Sequence, residues 1–344
     1  MTRRARLADV ARRAGVSPAT ASRALSSAPG SSALVADATA MRVRDAALAM
    51  GYRPDVAARR LRTRRSMSVL LVVRDIGNAF YLEVLRGVEA EARAAGYGVL
   101  MGNTEDDAER ESEYVDMLMD GHADAMILMT GKAPVPSGGG DATELPIVVA
   151  LEPLQDALFP AVQIDNRAAA RDAVEHLLGL GHRRIAHISG PVPEPMSVLR
   201  LAGWEDALRE AGVASERAVR GDYTLVGGER AAQEVLSRTP CPTALFVAND
   251  EMAWGAMRAA RAAGLSLPDD LSIVGFDDLA PSAAFDPPLT TVAQPRVEIG
   301  RHAMRLLLDR LGGDANEHCA TIVLPTTLVV RGSTAPPPRD STIA

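Results

Sequence analysis

Cysteine is nearly absent from this 344-residue chain. Cys241 and Cys319 are the only two, too few and too scattered for a disulfide framework, and with six histidines they make no metal-ligand spacing. Long apolar runs are missing as well. The longest candidates, 69–73 and 125–129, have strand length, far short of the roughly 18 residues a spanning helix needs. The first 25 residues are basic and amphipathic, without the apolar core or small-residue cleavage site of an export signal. A GxxxxGK[ST] phosphate loop, a G-x-S-x-G elbow and a GxGxxG following a strand are all lacking. These absences argue against export and membrane insertion and leave none of the common catalytic designs. They lead to the expectation of a reducing cytoplasm, no metal or cofactor, and a binding protein rather than an enzyme.

What the chain does have is a charge imbalance hidden inside a net of −7. Residues 1–65 carry fourteen arginines and only four acids, Asp9, Asp37, Asp45 and Asp55, a net of +10, which leaves −17 for the rest. A small polyanion-binding module on an acidic body is the natural reading. With 47% hydrophobic and 24% charged residues the composition is that of a globular protein, which excludes disorder and leaves room for two or three domains.

Local patterns divide the chain. LADVARRAGVSPATASRAL (7–25) reads as two short helices around a tight turn. Leu7, Val10, Ala11 and Ala14 form one apolar stripe, Gly15 stops the first helix, and Ser17 with Pro18 begins the second. Val16, Ala21 and Leu25 then face the first helix and leave Pro18, Ala19, Ser22 and Arg23 outside. A third helix over 37–50 has its expected apolar stripe at Ala38, Met41, Ala46 and Leu48. The segment 55–62 is too short to be a stable helix alone and is expected to fold conditionally. From Ser66 onward, strand-length apolar runs alternate with amphipathic helices, restarting after 162–164. This spacing implies right-handed βαβ units in two parallel sheets. Residues 134–140 read as a surface loop.

Eight motifs in order resemble those of the lactose-repressor/galactose-repressor (LacI/GalR) family of bacterial transcription regulators. They are LADVARRAGVSPATASRAL, GYRPDVAARRLR, NAFYLEVLRGVE, GHRRIAHISG, RLAGWEDAL, FVANDEMAWGAMRA, LSIVGFDDL and PPLTTVAQP. The resemblance implies an all-α helix-turn-helix headpiece (1–53), a hinge helix and linker (54–66), and an α/β two-lobed body like a periplasmic sugar-binding protein (67–334). Lobe 1 is expected over about 67–164 and 292–324, lobe 2 over about 165–290 and 325–334, and a disordered tail over 335–344. A run of small polar residues near 26–33 is about four residues longer than the family habit, which places the phosphate contacts of that loop in question.

Carried over position by position, the resemblance gives a DNA surface of Leu7, Ser17, Pro18, Ala19, Thr20, Ser22, Arg23, Tyr52, Arg59 and Leu61. Pro18 and Ala19 take the sequence-reading positions but have no side-chain donor or acceptor, so discrimination there rests on apolar contact such as thymine methyls. Arg23 is the candidate for bidentate guanine contact, with phosphate pairing as the alternative; Thr20 and Ser22 are read as phosphate anchors. Leu61 matches the position where paired hinge helices wedge a leucine into a minor-groove step. The effector cleft is expected to gather Phe80, Tyr81, Arg200, Tyr223, Asn249 and Asp277 at strand ends. An Arg, an Asn and an Asp around aromatic faces suit a polyhydroxylated, sugar-like ligand, and Glu194 disfavours an anionic or purine-like one. The implied partners are a pseudo-palindromic double-stranded operator, that small effector, and a second or fourth copy of the chain. A solute-binding protein without DNA activity is the other function class; the basic headpiece and missing export signal argue against it.

Overall fold

The computed structural model describes residues 5–25, 35–52, 65–151, 159–215, 217–313 and 320–338. The expectations for the loop near 26–33, the hinge segment, Arg59 and Leu61 lie outside these residues.

The headpiece is built from α1 (Leu7–Ala14), α2 (Pro18–Ala24) and α3 (Asp37–Ala49). Gly15 ends α1 in the left-handed conformation at φ 66°, which a residue without Cβ adopts at no steric cost. Two residues on, the Thr20 amide donates to Ser17 Oγ at 3.1 Å, a cap worth about 1 kcal/mol. Val10, Ala11, Ala21, Ala24 and Val43 close the small core. The stripe expected on α3 is corrected: Ala40, Val43, Ala46 and Ala47 are buried, whereas Met41 and Leu48 are 61% and 85% exposed. Three short helices pack closely only where small side chains meet, so the alanine-rich face turns inward against the larger residues.

The body holds two six-stranded sheets. The first contains β1 (Ser68–Val73), β2 (Gly98–Asn103), β3 (Ala125–Met129), β4 (Ile147–Leu151), β5 (Ala161–Ile164) and β11 (Thr321–Leu324), all parallel, in the order β11-β5-β4-β3-β1-β2. Its helices are α4 (Phe80–Ala94), α5 (Ala108–Met119) and α10 (Arg296–Gly312). The second contains β6 (Ile185–Ser189), β7 (Val219–Arg220), β8 (Ala244–Val247), β9 (Ser272–Asp277), β10 (Thr290–Ala293) and β12 (Thr327–Val329), in the order β12-β10-β9-β8-β6-β7. With it pack α6 (Asn166–Gly179), α7 (Pro195–Glu210), α8 (Leu225–Leu236) and α9 (Asp250–Ala262). The strand β12 runs antiparallel to β10, the one departure from parallel pairing among the described residues. β1, β3 and β4 are buried along their whole length, because helices cover both faces; this is why they read as unbroken apolar runs.

Chain crossings join the two sheets. The chain leaves the first after β5, returns through α10 after β10, and leaves again after β11 to end on β12. Helices cross at glycines where backbones touch: a Cβ on Gly87 of α4 would lie 2.0 Å from the Val297 carbonyl of α10, and one on Gly300 2.1 Å from the Val84 carbonyl. Beyond β12 the chain stays ordered. Ala335 accepts from Ser272 Oγ at 3.0 Å and lies 2.9 Å from His182 Nε2, and Pro337 sits over Gly181. The expected disordered tail is therefore corrected for 335–338; the proline-rich composition misled because the anchoring groups lie more than sixty residues away.

Candidate functional site

On the headpiece, Pro18, Ala19 and Arg23 are exposed along one side of α2, while Ala21 and Ala24 are buried on the other. Thr20 and Ser22 are half-buried, and Ser17 Oγ lies 2.9 Å from Thr20 Oγ1 in addition to capping the helix. Leu7 and Tyr52 are also half-buried, against the headpiece core. Arg12, Arg13, Arg42 and Arg44 are exposed on the neighbouring helices. The exposed side of α2 thus opens on apolar Pro18 and Ala19 and carries Arg23.

The second site lies in the body, where the C-terminal ends of both sheets face one another across a cleft of about 430 Å³. Phe80, Tyr81, Arg200, Tyr223, Asn249 and Asp277 all line it. Phe80 and Tyr81 open α4 and meet edge to face at 5.6 Å. Asn249 caps α9 by accepting from the Met252 amide at 3.0 Å and donates to the Tyr223 carbonyl at 3.0 Å, so one side chain sets both the helix start and the Tyr223 turn. Space for the Tyr223 ring exists because residue 190 is glycine; a Cβ there would lie 2.2 Å from the ring.

Arg200 is 2% exposed. Its Nε donates to Asn166 Oδ1 at 2.9 Å, its Nη1 to the Ala248 carbonyl at 2.5 Å, and its guanidinium lies 3.7 Å above the Phe276 ring. Asp277 accepts from Gln294 Nε2 at 2.8 Å. Burial pushes its pKa up to about 7, against the pull of Arg200 and with Asp250 adding to the rise. Behind it, Asp250 accepts from the Leu279 amide and the hydroxyls of Ser282 and Thr291 at 2.6–2.8 Å, fixing the loop that carries Asp277. Burial raises Asp250 to about 6 despite those three donors. Backbone strain gathers here too. Among the described residues, five of the seven non-glycine residues with positive φ line the cleft, including Tyr223 at 64° and Asp277 at 122°, the concentration expected where surrounding structure over-determines a functional geometry.

Of the groups that bridge the lobes, sequence reasoning singled out Glu194 but missed Arg74, Glu251 and Gln294. Arg74, directly after β1 in lobe 1, pairs with Asp106 Oδ1 at 3.0 Å and with the Glu194 carboxylate of lobe 2. Glu251 of α9 comes close to the lobe 1 backbone at Ala79, which lowers its pKa, while burial followed by the nearby Asp75 raises it on balance. Gln294 stands between β10 and α10, where the chain recrosses. The signal was present: each follows a strand by one to four residues, or opens the next helix. By contrast His187, stacked on Trp204 and Phe246 and held near pKa 4 by burial, is a neutral core group. Among the described residues no cluster of side chains could hold a metal, and no helix is long and apolar enough to cross a membrane.

Comparison with known proteins adds independent findings. Residues 6–55 match the model of bacterial regulatory proteins of the lacI family, and residues 174–334 match a periplasmic binding protein-like domain. The chain is 39% identical over 333 residues to the HTH-type transcriptional repressor CytR of Escherichia coli K12, covering 96% of both chains. It is 34% identical over 340 residues to catabolite control protein A of Priestia megaterium, covering 95% of this chain and 98% of the other. Among solved structures, the lac repressor dimer bound to operator and the anti-inducer ONPF superposes with a TM-score of 0.84 at 28% identity, covering 97% and 100%. A complex of the transcriptional regulator CelR with cellobiose gives 0.73 at 32% identity, covering 96% and 100%.

Proposed function

Because the chain belongs to the lacI family of bacterial regulatory proteins and is a DNA-binding transcription regulator, we propose that it represses from a pseudo-palindromic operator as a homodimer and releases or tightens on that operator when a sugar-like effector enters the cleft. One observation carries this reading: six side chains from distant segments converge on a single cleft between two lobes that the chain crosses three times. A ligand touching both lobes binds their alternative arrangements unequally, which is the requirement for shifting a conformational equilibrium. The related lac repressor structure is a dimer on operator, and CelR holds cellobiose. Exposed apolar side chains support pairing: Leu82, Leu100 and Met101 in lobe 1, Val226 and Trp254 in lobe 2. Two copies also match the two half-sites of a palindrome. The setting is the bacterial cytoplasm, on the nucleoid when the operator is occupied.

At the DNA, Pro18 and Ala19 read by apolar contact, Arg23 contacts guanine, and Thr20, Ser22 and the capping Ser17 hold phosphates, with Leu7 and Tyr52 supporting the helix and Arg59 adding charge at the hinge. Leu61 is the minor-groove wedge, its unstacking cost offset by the contacts a bent duplex permits. A gel-shift titration on an inverted-repeat operator tests this. Leu61→Ala is expected to weaken specific binding about tenfold or more while non-specific binding falls less than twofold. Equal losses on both DNAs would remove the wedge.

A further inference from the structure

Charge in the cleft is one-sided. Seven carboxylates line it against the two guanidiniums of Arg74 and Arg200. Both cations are already engaged: Arg74 by Asp106 and Glu194, and Arg200 by Asn166, the Ala248 carbonyl and the Phe276 ring. Glu105 has Arg110 at 2.7 Å and Asp222 has Arg230 at 3.8 Å. Three carboxylates have no cation within ion-pair distance among the described residues: Asp277, which is buried and accepts from Gln294, and two that are not buried and come from opposite lobes, Asp75 after β1 and Glu251 on the first turn of α9. They are near enough that Asp75 raises the Glu251 pKa. A second, independent feature points to a donor-rich ligand. Gln294 is 7% exposed and lines the same cleft; its Nε2 is given to Asp277, and its Oε1 is buried with no partner among the described residues.

We propose that the effector is a polyhydroxylated molecule bearing an amino group, whose N–H donors sit between Asp75 and Glu251, and that phosphorylated and carboxylated ligands are rejected. The inference rests on the cleft being the effector site. Like charges from two lobes repel as the lobes close; an amine between them turns that repulsion into a bridge, most strongly when it is protonated. The amino group would then couple recognition to lobe geometry. An anionic ligand meets the opposite field and finds no uncommitted cation among the lining residues.

The test is calorimetric titration of the full-length protein with matched sets: glucosamine against glucose and glucose 6-phosphate, galactosamine against galactose and galacturonate, and amino-bearing against oxo-bearing nucleosides. At least one aminated member is expected to bind roughly tenfold more tightly than its uncharged or oxo parent. Asp75→Asn and Glu251→Gln, both at sites that are not buried, should shrink that gap to about twofold, the aminated member losing more affinity than its parent. An anionic member binding as well as its parent, an unchanged gap in both variants, or binding by no aminated member would each overturn the proposal. Asp277→Asn separates this from the cleft reading: if it abolishes binding of whichever probe binds, the cleft stands even where the amine preference fails. Binding that survives Asp277→Asn sinks the cleft itself.

Discussion

Arg200 supports the site as well as lining it, and Arg200→Ala should therefore cost stability as well as ligand response. Truncation leaves two buried acceptors, Asn166 Oδ1 and the Ala248 carbonyl, without their donors, at about 1–3 kcal/mol each. It also removes a desolvated guanidinium from 3.7 Å above the Phe276 ring, worth about 2 kcal/mol. Against this stands the removal of a buried cation's desolvation cost, since among the described residues no carboxylate lies within ion-pair distance of Arg200. The net expectation is a loss of about 2–4 kcal/mol. Asp277 changes too. Arg200 is the largest influence lowering its pKa, so in the variant the carboxyl stays protonated to higher pH and stability falls more steeply through neutrality. Urea unfolding followed by tryptophan fluorescence reads lobe 2 directly, because Trp204 on α7 and Trp254 on α9 both lie there. An Arg200→Met, Asp277→Asn double variant should recover at least about 1 kcal/mol relative to Arg200→Ala, by restoring volume and removing the stranded carboxylate. A single-variant loss below about 1 kcal/mol, with no recovery in the double, would refute the reasoning.

Two further outcomes are expected. Gly87→Val should part α4 from α10, because its Cβ alone would lie 2.0 Å from the Val297 carbonyl; a loss of about 3 kcal/mol or more in thermal or urea unfolding is anticipated, against less than about 0.5 kcal/mol for Gly138→Ala, where nothing lies within 4 Å. Stability should also depend on pH through Asp277 and Asp250, whose pKa values burial raises to about 7 and about 6 from 3.8. Between pH 4 and 7 the folded protein binds more protons than the unfolded chain, so this contribution is fully present below about pH 4 and is lost as pH rises through 6 to 7. Asp277→Asn should flatten that decline; identical slopes for variant and wild type between pH 5 and 8 would exclude the effect.

Much of the local structure was legible in the residues. The stop at Gly15, the cap at Ser17 and the start at Pro18 depend on a few neighbouring atoms, and they appear where the sequence put them. Buried parallel strands announced themselves as apolar runs because their environment is uniform on both faces. Phe80, Asn249 and Asp277 could be placed at the cleft because strand ends are where such folds bind ligands. The α3 stripe was misjudged because several phases of an alanine-rich helix satisfy the same periodicity, and only α1 and α2 select one. The 335–338 segment looked like a loose tail because its anchors, His182 and Ser272, are distant in sequence.

By itself, then, the sequence determined a basic helical headpiece, an acidic body of alternating strands and helices, and the strand ends where a site would form, since each follows from composition or short-range periodicity. Tertiary structure alone decided which charges meet. Arg74 joins Glu194 across the lobes, Asp75 comes near enough to Glu251 to raise its pKa, and Gln294 keeps one acceptor unpaired among the described residues. The physical reason is that electrostatic and hydrogen-bond energies depend on short separations between groups more than a hundred residues apart in the chain, and only the apposition of two folded lobes sets those distances.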